Sequence, residues 1–314
     1  MTMFRRTGAL SLCAALLVSG CDLFPTSPVP APRDVTTVPE PKPEPSPRSQ
    51  DLAAYYSNVQ QRLLSQGLLR VDGGGPDTPF SKRQVVNNFV RIAAYNEFSL
   101  LNGQLVETPS ASLIKRWSGP IRMQTHFGET VPEDRKASDT DLIGGYAARL
   151  ANLTGQDIRP TGASGNFHIA VLDVDALEGF GPKLKTLFPG LSEGIVSQIA
   201  TMPRDVYCAV YVFEMQGQPN TLGSAIAIVR AEHPDLLRQS CYHEEIAQGL
   251  GLNNDSAVAR PSIFNDDNEF ALLTRHDELL LDMLYDERLP LGANPTQVRQ
   301  VAEVLAAELL DGES

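Results

Sequence analysis

Cysteine is scarce in this chain: the four residues are Cys13, Cys21, Cys208 and Cys241. None stands in a CxxC or Cys/His finger spacing, which excludes a zinc finger. Positive charge is short as well. Lys and Arg number 26 against 38 Asp and Glu, for a formal net charge of −12, and no Lys/Arg run occurs. Such a chain has no electrostatic footprint for nucleic acid or for anionic lipid headgroups. Beyond residue 20, no apolar run approaches the ~20 residues of a membrane-spanning helix. A Gly-rich phosphate loop, a Gly-x-Ser-x-Gly elbow and a catalytic-cysteine signature are all missing.

What is present begins with Arg5 and Arg6, a short positive stretch ahead of the apolar run Gly8 to Val18. That run suits a signal peptide and is too short to span a bilayer. The tract Leu17-Val18-Ser19-Gly20-Cys21 resembles the lipobox of bacterial lipoproteins. The resemblance implies a signal peptide over 1–20 and acylation of Cys21, with the lipid bilayer as partner. Each buried methylene contributes ~0.8 kcal/mol, and two or more chains make a stable anchor. An ordinary secretory signal with an incidental cysteine is the competing reading, disfavoured by the Leu-Val-Ser-Gly run directly before Cys21. A twin-arginine signal at Arg5-Arg6 lacks the residues expected after the pair. Asp22 resembles the signal that retains enteric lipoproteins in the inner membrane. The expected location is therefore the periplasmic face of that membrane, with the outer membrane as the alternative.

With Cys13 lost in the signal and Cys21 lipidated, Cys208 and Cys241 remain as a disulfide candidate in an oxidising compartment. Two buried free thiols are the alternative. Pro recurs from Pro25 to Pro47 among polar residues, so 21–50 reads as the lipidated Cys plus a disordered Pro-rich tether, extended at ~3.1 Å per residue.

An N-terminal helical extension is expected over 51–109. Leu52, Tyr55, Val59 and Leu63 mark a helix over 51–66, and Ser81 caps a second through Phe98. The main domain is expected over 110–314. Its elements are strands near Trp117 and at 121–125, a helix over 142–153, strands at 167–174, 206–213 and 222–231, and helices at 234–249, 274–285 and 295–310, the last capped by Asn294. The order is that of an α+β fold without internal repeats.

The chemistry-bearing stretch is Cys241-Tyr242-His243-Glu244-Glu245-Ile246-Ala247-Gln248-Gly249-Leu250-Gly251-Leu252-Asn253-Asn254-Asp255. It resembles the metal-binding helix of metzincin proteases, in which histidines at i and i+4 hold zinc, an intervening Glu activates water, and a Gly turn admits a third ligand. With Glu245 at the general-base place, Glu244 and Gln248 occupy the first two ligand places, Gly251 the turn and Asn254 the third. Pro261-Ser262-Ile263-Phe264 falls where metzincins carry a Ser-Ile-Met turn. Leu273-Thr274-Arg275-His276-Asp277, then Leu284-Tyr285, resembles their closing helix. The resemblance covers about residues 110–288 and implies a zincin/metzincin-like fold: a twisted mixed sheet, an upper helix, an active-site-type helix and a C-terminal helical subdomain. The whole pattern also resembles a proteobacterial lipoprotein family catalogued as domain of unknown function 2927, which implies a fold and a compartment but no reaction.

Neutral carboxamides are poor zinc ligands, and replacing both imidazoles forfeits most of the ~10–16 kcal/mol that good zinc sites reach. No cofactor is therefore expected, and the expected function is non-catalytic: a membrane-anchored binding protein for a peptide or envelope component. The alternative is an atypical metallopeptidase with Glu245 as general base and Glu244, Gln248 and Asn254 at the metal; a third reading is a purely structural envelope lipoprotein. The frame starting at His243 fails because Ala247 stands at i+4. An oxygen-rich site for a non-zinc divalent cation could instead draw on Glu244, Gln248, Asn254 and Asp255, joined by Asp266, Asp267 or Glu269. His126, His168, His233 and His276 read as surface or cap residues, Trp117 as core or groove wall, and Phe264 as part of the turn.

Overall fold

Proline at the first position of a helix sacrifices nothing, because its missing N–H would have no partner there. In the computed structural model, which describes residues 43–311, this sets where the folded part starts. Helix α1 spans Pro47–Ser65, and Ser46 caps it by accepting from Ser49 N at 3.2 Å. The tether expected to run to residue 50 thus ends before Pro47, which fills the first turn instead of holding the chain extended. Cys21 and the expected signal lie outside the described residues. Tyr56, Val59 and Leu63 of α1 pack on Leu69, Leu237 and Ala271.

Helix α2 (Lys82–Ala93) opens on the capping box of Ser81 and Gln84, but it stops five residues before Phe98, the end expected from sequence. Strands β1 (Tyr95–Leu101) and β2 (Gln104–Ala111) follow as an antiparallel hairpin. Asn102 (φ 51°) and Gly103 (φ 78°) make its turn, and positive φ at both central residues is what Asn-Gly favours in two-residue hairpins. The segment 51–109 is therefore not purely helical.

The main sheet contains β3 (Arg116–Trp117), β4 (Ile121–Phe127), β5 (Ile158–Pro160), β6 (Phe167–Leu172), β7 (Cys208–Glu214) and β8 (Thr221–Arg230). Hydrogen bonding runs β3-β8-β6-β4-β5, all parallel, with β7 antiparallel on β8. Side chains alternate across the sheet as strand geometry requires. Phe167, Ile169 and Val171 enter the main core, while Ala170 and Leu172 enter a second core on the opposite face. Burial on both faces explains why β6 reads as a nearly continuous apolar run.

Helices α3 (Glu133–Thr154), α7 (Asp235–Gln248), α8 (Arg275–Tyr285) and α9 (Pro295–Asp311) join α2 on the main core. The second core is covered by α4 (Val174–Glu178), α5 (Gly181–Leu187) and α6 (Glu193–Ala200). These three helices are absent from the sequence reading, where the Gly and Pro residues of this stretch pass for loop punctuation. The mixture of helices with a mostly parallel sheet agrees with the α+β expectation. No helix among the described residues is long and apolar enough to cross a membrane.

Candidate functional site

Helix α7 is held at both ends and at its middle. Near its start, Arg238 meets Asp139 of α3 in an ion pair of 2.9 Å with both side chains at most 3 % exposed, and Tyr242 Oη donates to the same carboxylate at 2.9 Å. Midway, the Cys241–Cys208 disulfide ties α7 to β7 across a Cα separation of 5.9 Å; the pair expected from cysteine counting is therefore formed. At the far end, Trp117 Nε1 donates to Gly249 O and Tyr285 Oη to Leu250 O, each at 2.9 Å, satisfying carbonyls that a helix terminus leaves open. Gly251 then turns the chain at φ +125°, where a Cβ would sit 2.3 Å from Lys115 O. Only glycine fits.

His243 faces away from the acidic side of this helix. Its Nδ1 accepts from Leu273 N at 3.0 Å, its ring stacks on Tyr146 at 4.0 Å, and burial with the nearby Arg149 charge pushes its pKa down to about 3. It is a neutral core histidine.

Glu244 and Glu245 turn instead toward β7. Their carboxylate oxygens and Cys208 Sγ lie within 4.8 Å of one another, but the sulfur is oxidised and offers no thiolate. Glu245 is 4 % exposed, and its Oε2 has no hydrogen-bond partner. Burial, then the charge of Glu245 and those of Asp255, Asp266 and Glu97, hold the Glu244 carboxyl well above its usual range. Burial, then Asp255 and Glu97, do the same for Glu245. Asp255 rises to about 7, through burial and Asp266, against the lowering effect of Gln248 Nε2, which donates to it at 2.9 Å. Glu97, on the β1–β2 hairpin, also rises to about 7, through burial and then Asp255, Asp266 and Glu107. Among the described residues, no cationic side chain lowers the pKa of Glu97, Glu245 or Asp255. Beneath them, Tyr211 of β7 is pushed up to about 12 by burial and by Glu245. The result is an acidic niche of mutually repelling carboxyls from α7, the hairpin and the loop after Gly251, in which Glu244 and Glu245 approach within 4.8 Å.

Residues 82–304 match the family described as "Protein of unknown function (DUF2927)". The chain belongs to this family. No curated protein and no solved structure matches it. The DUF2927 match runs from α2 into α9 and so contains the whole niche, while α1 precedes it.

The DUF2927 domain does not assemble the ligand set suggested by the metzincin register. Asn254 is buried, with its Nδ2 donating to Arg91 O at 3.0 Å. Gln248 spends its Nε2 on Asp255. Of the acidic residues that could extend an oxygen site, Asp266 approaches the niche but Glu269 pairs with Arg70 and Arg260, and Asp267 accepts from Glu269 N within its own turn. Phe264 is fully buried, and the turn around it is fixed by Asp277, which accepts from Ser262 Oγ at 2.6 Å and from Ile263 N at 3.0 Å. His168, His233 and His276 are buried, not surface or cap residues; burial lowers the pKa of His168 and His233 and so favours their neutral form. Trp117 is core.

Glu97 is the residue that sequence reading missed. The Asn102-Gly103 dipeptide, a strong hairpin signal, could have ended α2 early and placed Glu97 on a strand. Nothing local could have shown that Glu97 raises the pKa of Glu244 and Glu245 on α7.

Proposed function

We propose that this chain is a lipoprotein anchored through Cys21 at the periplasmic face of the cell membrane, with a metzincin-like domain that binds rather than hydrolyses. The observation that carries the non-catalytic part is the donor type at the ligand places, where Gln248 and Asn254 are neutral carboxamides, poor zinc ligands, in place of imidazoles. Both occupy ligand places in the metzincin register, and both are held in bonds that build the loop after α7. Zinc does not fit these donors, because no imidazole reaches the niche and His243 is spent on Leu273 N. Without an activated water, Glu245 has no proton to take, and the atypical metallopeptidase reading is left with neutral carboxamide oxygens as ligands.

The metzincin-like part draws support from element order and from local devices. The Gly251 turn, the 261–264 turn braced by Asp277, and the closing helix whose Tyr285 caps α7 occur where the resemblance requires them. The Cys208–Cys241 disulfide fits an oxidising compartment. Lipid anchorage rests on the Leu17–Cys21 tract and the inner-membrane preference on Asp22. A tethered domain that keeps the metzincin-like α7 helix suits a peptide or envelope-protein ligand. Casein incubated with the full chain should remain intact. EDTA-sensitive cleavage would overturn the non-catalytic reading, and a Cys21→Ser chain that still incorporates labelled fatty acid would overturn the anchor.

A further inference from the structure

We propose that the groove between α3 and α7 binds a short extended peptide, of about four residues, by its two charged ends, with the terminal carboxylate at His243 and Arg149. The groove, of about 710 Å³, is lined by Asp141, Gly145, Tyr146 and Arg149 of α3 and by Asp235 and His243 of α7. That volume falls within the ~300–1,000 Å³ of small-ligand sites. Neither Glu244 nor Glu245 lines it. One donor is built into its wall. His243 is only 8 % exposed, and its Nδ1 accepts from Leu273 N, so the ring proton sits on Nε2. That Nε2–H finds no partner among the described residues, yet it is not sealed from solvent. A donor held open on an almost buried ring is met by water or by a ligand acceptor, and the other groups of the groove select the ligand.

Leu273 fixes a second donor beside the first. Its N–H goes to His243 Nδ1 at 3.0 Å, and its C=O accepts from Arg149 Nη2 at 3.1 Å. Arg149 also donates to Glu278 through Nε and Nη2, at 3.1 and 2.8 Å, which leaves Nη1 without a partner among the described residues. An imidazole N–H and a guanidinium N–H held by one residue suit a carboxylate, whose oxygens take charge-assisted hydrogen bonds. The other end of the groove has the opposite sign. Asp141 is exposed and makes no hydrogen bond or ion pair among the described residues. Arg238 links Asp139 of α3 to Asp235, whose side chain is 89 % exposed, and so sets Asp235 at this end too. Asp141 and Arg149 stand ~12 Å apart along α3, at 1.5 Å per residue. An extended chain gains ~3.3–3.6 Å per residue, so a peptide of that length bridges the two ends with its amine at the aspartates. Those aspartates and Glu278 repel a polyanion such as phosphate. Between the ends lies Gly145. Glycine is unfavourable inside a helix relative to alanine, and a Cβ at Gly145 would meet nothing within 4 Å. Packing therefore does not require it; its effect is to leave the groove floor clear for a peptide backbone. Leu142, 41 % exposed on the same wall, offers apolar surface to small side chains. The site names a ligand class for the binding role proposed above and rests on that role.

The test is calorimetry of the full chain with tetra-alanine, its C-terminal amide, its N-acetyl form and inorganic phosphate, followed by mass spectrometry of the recovered peptide. Tetra-alanine should bind at one site per chain, each capped form about tenfold more weakly, and phosphate not at all. Gly145→Leu should abolish binding without lowering the melting temperature, because it fills open space and favours the helix. Asp141→Asn, at an exposed position without a partner among the described residues, keeps the test valid if Gly145→Leu fails to fold. It should weaken binding of the free peptide and leave the N-acetyl form unchanged. The proposal is overturned by no tetra-alanine bound at ~10 mM, or by either capped form binding as well as the free peptide. It is equally overturned by phosphate bound in preference, or by tetra-alanine binding unchanged in a folded variant. Cleavage of the recovered peptide would overturn the non-catalytic reading instead, so the two failures are read apart.

Discussion

Gln248 donates its Nε2 hydrogen to Asp255 Oδ1 at 2.9 Å, across the sharp turn at Gly251. One helical turn separates Gln248 from Glu244, the spacing at which two histidines would hold zinc. The amide does structural work there that an imidazole could not repeat with the same reach. Gln248→His should therefore fail to create a zinc site, because Asn254 stays bonded to Arg91 O and a single imidazole is too few. Zinc titration of that variant, followed by calorimetry, should show no stoichiometric binding.

The Arg238–Asp139 pair should be the most expensive ion pair to break. Both side chains are essentially buried, and removing one partner strands the other charge, at a cost of ~3–5 kcal/mol. Asp139→Ala should lower the urea midpoint accordingly. Asp157→Ala, whose partner Arg159 is largely exposed, should change stability by under ~1 kcal/mol.

The disulfide closes a loop with a sequence separation of 33. The chain-entropy relation gives roughly 3–4 kcal/mol for a loop of that length. Reduction, or the Cys208→Ala/Cys241→Ala double variant, should lower unfolding stability by about that amount, measured by urea denaturation with and without reductant.

His168 should make stability depend on pH. Burial, then His126 and Lys183, lower its pKa from 6.5 to about 4 in the folded state, so protons bind the unfolded chain more readily. Its neutral form is present in both states above pH 6.5, where no penalty exists. As pH falls from 6.5 toward 4, the unfolded state alone gains a proton and stability is lost. His168→Gln removes this contribution. The stability difference between variant and parent should shift in the variant's favour over that window, read by urea midpoints at pH 7 and pH 4.5.

Local devices made much of the fold legible. Ser81 with Gln84, Thr274 with Asp277, and Asn294 mark where α2, α8 and α9 start, because each satisfies open N–H groups within a few residues. Strands β7 and β8 stood out by apolar content, and elimination among four cysteines paired Cys208 with Cys241. What stayed hidden was either short or long-range. Helices α4 to α6 have five to eight residues each, too few for a helical period to emerge. Within the site, Glu245 was legible through its motif. Glu97 was not, because its electrostatic effect on Glu245 depends on how a hairpin some 150 residues earlier is placed in the fold, and nothing in the local sequence encodes that placement.

The most direct test of the central claim is the zinc content of the full chain purified without chelators, measured by mass spectrometry. With carboxamides instead of imidazoles at Gln248 and Asn254, zinc should be far below one atom per chain. One tightly held zinc per chain, lost together with casein cleavage in Glu244→Ala, would contradict the account.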